Sequence, residues 1–86
     1  MPSADDIRDH CQERYIDQAR GRGESHVKIR MGDVHEDLRL KNRIPQVVSA
    51  LGTDRFERQC RLRRTGIEGP LNSTSTVFVF ELLPLL

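Results

Sequence analysis

Apolar positions along this 86-residue chain change period several times, and each change marks a new element. Ile7, Cys11, Tyr15 and Ala19 recur every four residues, with Ile16 beside them. That spacing predicts a helix from about Ala4 to Arg20, within a first segment 1–20, with one buried stripe. Ser3 followed by Asp6 is a start signal, Asp5 and Asp6 suit the positive end of the dipole, and Gly21 supplies a left-handed stop. Over 27–31 the pattern alternates: Val27, Ile29 and Met31 point one way, Lys28 and Arg30 the other. That is a half-exposed strand.

The stretch 33–52 reads as two short helices joined by a tight turn. Asp33 can cap the first, with Glu36 three residues on to complete a capping box. Val34 and Leu38 share a face. Leu40, Lys41 and Asn42 make the turn, Asn42 is placed to cap the second helix, and Pro45 falls in its first turn, where a missing N–H costs nothing. Ile44, Val47, Val48 and Leu51 form one apolar stripe, opposite Arg43, Gln46, Ser49 and Ala50. Gly52 ends the helix. A short helix, a turn and a helix with a small polar outer face form a helix-turn-helix pattern.

After Gly52, Thr53 or Asp54 can cap a further short helix with Phe56 and Cys60 inward and Arg55 and Arg58 outward. Within 61–82 a strand from Arg61 to Ile67 and another from Thr76 to Leu82 make a hairpin with a long loop of small polar residues. In the second strand Val77, Val79 and Glu81 take one face, and Phe78, Phe80 and Leu82 the other. The last segment, 83–86, is an apolar tail.

This order is an α+β fold and resembles the winged helix-turn-helix family over nearly the whole chain, 1–86, as a single domain. The resemblance implies a three-helix core with a small three-stranded antiparallel sheet, Arg43 to Leu51 as recognition helix, Gly69 to Ser75 as wing tip, and pairing of Val27–Met31 with the hairpin. The string GDVH…NRIPQVVSAL also looks like one found in small stand-alone prokaryotic winged-helix proteins. One departure stands out. DNA-gripping wings often carry Lys or Arg at the tip, whereas here the tip is Leu71-Asn72-Ser73-Thr74, with Arg63 and Arg64 at the root.

Charge sharpens this picture. The net charge is only +1. Residues 1–38 hold nine acids and six bases, giving −3, and residues 65–86 hold Glu68 and Glu81, giving −2. Residues 39–64 hold eight bases (Arg39, Lys41, Arg43, Arg55, Arg58, Arg61, Arg63, Arg64) against Asp54 and Glu57, giving +6. A localised positive field of this kind attracts polyanions even on a nearly neutral molecule.

These features point to double-stranded DNA as partner, for a transcriptional regulator or a mobile-element or defence-associated protein. Arg39, Lys41 and Arg63 or Arg64 would contact phosphates. Arg43 and Gln46 would reach base edges in the major groove, with small Ser49 and Ala50 allowing close approach. The helix start beside Asn42 offers free N–H groups to a phosphate. A protein-interaction or oligomerisation module on the same scaffold is the alternative, favoured by the acidic first helix and the apolar tail. RNA binding is a third reading, disfavoured by only four aromatics and the lack of an RNA-type aromatic motif for stacking. A homodimer reading two half-sites is expected.

Enzymatic chemistry is not expected. His10, His26 and His35 are scattered, no Walker loop, Rossmann glycine set or zinc spacing occurs, and no cofactor, metal or small-molecule ligand is indicated. Cys11 and Cys60 read as reduced thiols in a cytoplasmic protein. No signal-peptide pattern begins the chain, and Asn72-Ser73-Thr74 reads as a chance glycosylation match. The apolar run Val77 to Leu86, broken by Glu81 and Pro84, is far short of the roughly 20 residues a membrane helix needs.

Overall fold

A computed structural model describes residues 2–85. Helix α1 combines α-helical Ala4–Cys11, a π-helical turn Gln12–Ile16 and α-helical Asp17–Gly21. There follow β1 (His26–Arg30), α2 (Met31–Asp37), α3 (Ile44–Leu51), α4 (Asp54–Cys60), β2 (Leu62–Glu68) and β3 (Val77–Leu82). The three strands form one antiparallel sheet in the order β1-β3-β2, so the last strand lies in the middle. Among the described residues the fold is α+β, with four helices and the sheet around one core.

The capping box of Ser3 and Asp6 is present. The helix it opens differs from the sequence expectation in its middle. A π turn bonds i to i+5, so the inward position after Cys11 falls on Ile16, which is 1% exposed, rather than on Tyr15. Tyr15 is half-buried at the side of the stripe. The left-handed stop also moves. Gly21 is the last helical residue, and Gly23 takes the positive φ of 73°. The amides of Gly23 and Glu24 then close on the carbonyls of Arg20 and Ala19.

Strand β1 runs into α2 without a loop. Met31 therefore begins a helix instead of ending the strand. The expected capping box of Asp33 and Glu36 is not formed, because α2 starts three residues earlier, with Arg30 in the cap position, and its first amides find partners elsewhere. Met31 N–H donates to Thr76 O at 2.8 Å, and Gly32 N–H to Thr74 O at 3.1 Å. Asp33 pairs with Arg30 at 2.9 Å. The β2–β3 loop is thus folded back as the cap of α2. It is braced internally by the Thr76 hydroxyl, which donates to Pro70 O and accepts from Ser73 N–H.

The core lies between the sheet and the helices. Phe78 and Phe80 project from β3, with the Phe80 ring edge-on to Phe56 of α4 at 5.5 Å and to Phe78 at 6.1 Å. Each buried ring contributes roughly 1.5–3 kcal/mol, with about 0.5–1.5 more for a well-placed aromatic pair. Ile29, Met31, Val34, Val47 and Leu51 surround them. Ala50, assigned above to the outer face of α3, is 2% exposed. Its carbonyl accepts from the buried Arg8 of α1 at 3.2 Å, which places a cation near the negative end of α3. Gly52 ends α3 with φ −87°, not left-handed; a Cβ there would meet the Val48 carbonyl at 2.9 Å.

Two glycines test this arrangement in opposite directions. A Cβ on Gly32 would lie 2.7 Å from Thr74 O, whereas one on Gly21 would meet nothing within 4 Å. Gly32→Ala is expected to destabilise by roughly 1–3 kcal/mol through the forced shift of the loop. Gly21→Ala should stabilise by about 0.5–1 kcal/mol, since the position is helical. Urea unfolding of both variants measures the contrast.

Candidate nucleic-acid interface

The turn between α2 and α3 is built from an unusual backbone. Arg39 closes α2 with φ 54°, a left-handed position normally given to glycine. Its amide donates to Glu36 O and that of Leu40 to His35 O, both at 3.0 Å. Asn42 is also left-handed, at φ 54°. It is a turn residue and not the cap expected of it, because the cap position of α3 belongs to Arg43, which makes no side-chain cap. The Arg43 amide instead donates to Nε2 of His35 at 3.2 Å. Pro45 has no N–H, and the Gln46 amide bonds to Arg43 O. Of the backbone positions 43 to 46, only Ile44 is left to offer a donor to an anion, fewer than the helix start had promised.

Around this turn the cations stand free. Arg39 and Lys41 are exposed and form no ion pair among the described residues. Arg43 is half-buried, with its Nε sealed from solvent and unpartnered. Asn42, Gln46 and Ser49 are exposed. Gln46 and Ser49, with Pro45, border a shallow cleft of about 420 Å³ whose other wall is Pro2, Ser3, Ala4 and Ile7 at the start of α1.

The two hairpin cations are elsewhere and already engaged. Arg63 pairs across the sheet with Glu81 at 2.6 Å. Arg64, opposite the buried Phe80 in register, lies on the other face. Its guanidinium sits 5.2 Å from the Phe78 ring centre and donates to Gly52 O at 3.4 Å. Adjacent in sequence, Arg63 and Arg64 point to opposite sides of the sheet.

Other charged residues serve the fold. Arg20 donates to the carbonyls of Cys60 and Leu83, both at 2.8 Å, and of Arg61 at 3.1 Å. It thereby ties the end of α4 to the tail, a role that its sequence position did not signal. Arg22 pairs with Glu24, Lys28 with Glu68. Arg61 donates from Nε to Pro84 O, and Leu83 N–H donates to Arg61 O. The tail is therefore fastened through Pro84, while Leu85 is 64% exposed. Arg55 and Arg58 are exposed on α4. With the bonded Arg8 guanidinium first, Arg55 helps hold the Asp5 carboxyl below its usual range.

A second polar cluster joins α2 to α1. Asp37 Oδ2 accepts from the Tyr15 hydroxyl at 2.5 Å and lies 3.1 Å from His10 Nε2. Burial pushes the Asp37 carboxyl up, but the bonds from Tyr15 and His10, with the charges of His10 and Arg14, bring it below its ordinary value. The same contact acts in reverse on Tyr15, whose hydroxyl is pushed up, first by burial and then by Asp37. Both cysteines are free and buried. Burial raises the Cys60 thiol to about 12 and Cys11 further still.

No cluster of metal-ligating side chains occurs among the described residues, nor any helix long and apolar enough to cross a membrane. Comparison with family models, curated proteins and solved structures found no match. The functional reading therefore rests on the chemistry of this turn.

Two predictions follow from the polar cluster and the thiols. Since the folded Asp37 carboxyl is the stronger acid, its contribution is complete above the unfolded value of about 3.9 and fades as pH falls through the folded one. Asp37→Asn should cost roughly 1–2 kcal/mol at neutral pH, and the gap to the parent should narrow below about pH 4. Urea titrations at the two pH values read it. Neither cysteine presents a thiolate at mild alkaline pH, so a chromogenic thiol reagent should react with both only after unfolding.

Proposed function

We propose that this is a winged helix-turn-helix protein that binds double-stranded DNA through the turn between α2 and α3 and the first turn of α3. The order of elements and the pairing of β1 with hairpin strand β3 in a three-stranded antiparallel sheet support the winged-helix reading. One observation carries the DNA reading. Arg39, Lys41 and Arg43 gather at one tight turn without a carboxylate partner among the described residues, whereas Arg22, Lys28, Arg30 and Arg63 are paired and Arg55 and Arg58, likewise unpaired, lie on α4. Cations left unpaired beside an exposed amide side chain suit a phosphate backbone flanking a groove.

In this reading Arg39 and Lys41 contact phosphates, and Arg43 and Gln46 approach base edges, with Ser49 giving clearance. The start of α1 borders the same face, so groove contact is confined to the first turn of α3. Arg63 joins only by giving up Glu81, and Arg64 only by leaving Phe78. The β2–β3 loop, held against α2, adds little grip. The protein acts in transcription regulation or on mobile-element or defence DNA, in the cytoplasm.

The second reading, association through an apolar surface, draws on Leu71 and Leu85, which are 65% and 64% exposed. A homodimer reading two half-sites combines both. Leu71→Asp and Leu85→Asp, followed by sedimentation, decide it: a monomeric parent removes the homodimer.

Binding selection from random duplexes at two salt concentrations tests the main reading. Affinity should fall with a log–log salt slope of roughly −0.9 per phosphate neutralised. Lys41→Ala should weaken all duplexes alike and lower that slope by about 1, whereas Arg43→Ala should cost roughly 1–3 kcal/mol on the selected site and relax its sequence preference. Arg63→Ala should change little. No duplex bound at low salt overturns the reading.

A further inference from the structure

We infer that His35 is the positioning residue of the cationic turn and that it holds the turn only while its imidazole is neutral. The bearing on DNA rests on the reading above; the geometry of the turn does not.

A backbone amide can only donate. The Arg43 N–H lies 3.2 Å from His35 Nε2, so that nitrogen must be the bare acceptor and the ring proton must sit on Nδ1. His35 also accepts the Leu40 amide at its own carbonyl. One residue thus grips both ends of the turn. What it restrains includes a costly conformation, since Arg39 is left-handed at φ 54°; Asn42 is left-handed too, a region Asn adopts more readily. The cap residue Arg43 makes no side-chain cap bond, and its own amide is held by the His35 ring from outside the helix.

Protonation reverses the contact. An imidazolium donates from both nitrogens, so donor would face donor. The added charge would also lie near the positive end of α3 and the cations Arg39, Lys41 and Arg43. The carboxylates of α2 give little relief. Asp33 is held by Arg30 at the end of β1, and Asp37 by Tyr15 and His10 of α1, with the Arg14 charge nearby. Glu36 is the remaining acid on that helix, and the first turn of α3 contributes none. His10 behaves in the opposite sense, because its protonation strengthens the contact with Asp37. The two histidines therefore respond to acid with opposite signs, and His10 is the control.

The test is amide NMR of the full chain as the pH is lowered from neutral into acid, with the His35 ring signals followed alongside. The Arg43 amide shift should follow the His35 titration, and its protection, corrected for intrinsic exchange, should fall about tenfold in acid, the scale of one lost hydrogen bond. His35→Gln, which supplies a carbonyl acceptor at any pH, should abolish the titration, and His10→Gln should retain it. With the selected duplex, the ratio of selected to random affinity should fall about fivefold to tenfold in acid for the parent and stay flat in His35→Gln. An Arg43 amide indifferent to pH, or one that titrates unchanged in His35→Gln, overturns the inference. The first criterion needs no variant to fold. A titrating amide in a protein that binds no DNA leaves the role of His35 standing and removes the nucleic-acid reading alone.

Discussion

Two backbone hydrogen bonds, from Met31 and Gly32 to the carbonyls of Thr76 and Thr74, fix where a strand stops and a helix begins. Helix α2 is seven residues long and has no side-chain cap. A helix that short cannot stand on its own propensity, so it depends on partners for its first amides. The hairpin loop supplies them, and only a residue without Cβ lets the loop come close enough. Everything downstream takes its position from that junction: the direction of α2, the place of His35 and Asp37 on it, and the turn that follows. The β2–β3 loop is spent largely on holding the scaffold.

The turn itself is over-determined. Both Arg39 and Asn42 hold left-handed conformations, which cost Arg39 on the order of 1–2 kcal/mol and Asn42 less. They persist because amide bonds to Glu36 and His35 close the end of α2, and the imidazole of His35 holds the start of α3. Meanwhile Asp37, one turn away, is tied to α1 through Tyr15 and His10. A turn held in this way keeps Arg39, Lys41 and Arg43 in a defined relation to α3.

Periodicity in the sequence revealed most of the elements, because burial on one face imposes it directly. The helix from Ser3, the alternation of β3 and the inward Phe56 and Cys60 are all visible there. What stayed hidden depends on distant partners. Asp33 and Asn42 look like caps, since Asp and Asn usually cap, yet the β2–β3 loop takes the first amides of α2, and at α3 the cap position falls on Arg43, whose amide His35 holds. The exchange of Ile16 for Tyr15 follows from a π turn that no simple repeat encodes. For the site, the basic block was legible as composition but not as geometry. Arg63 and Arg64 look equivalent to Lys41 until strand alternation sends them to opposite faces, one to Glu81 and one over Phe78. Arg20 and His35 gave no local sign, because their partners lie 40 or more and eight residues away, respectively.

The charge around the turn is shaped as much by carboxylates turned away as by cations gathered. Helix α2 carries Asp33, Glu36 and Asp37, enough acid to neutralise Arg39, Lys41 and Arg43 if the side chains simply leaned over. Surface pairs of that kind are worth little, roughly 0–1 kcal/mol, so they would form or not according to what else competes. Asp33 is drawn back to Arg30 at the end of β1, and Asp37 sideways to Tyr15 on α1. Both contacts follow from the backbone: the first from the loopless junction, the second from the π turn that moves Tyr15 off the buried stripe. The same two irregularities that defeat a simple helical repeat thus leave the turn positive. A local field then survives on a molecule whose net charge is only +1, and that field, more than total charge, governs how a polyanion is drawn in.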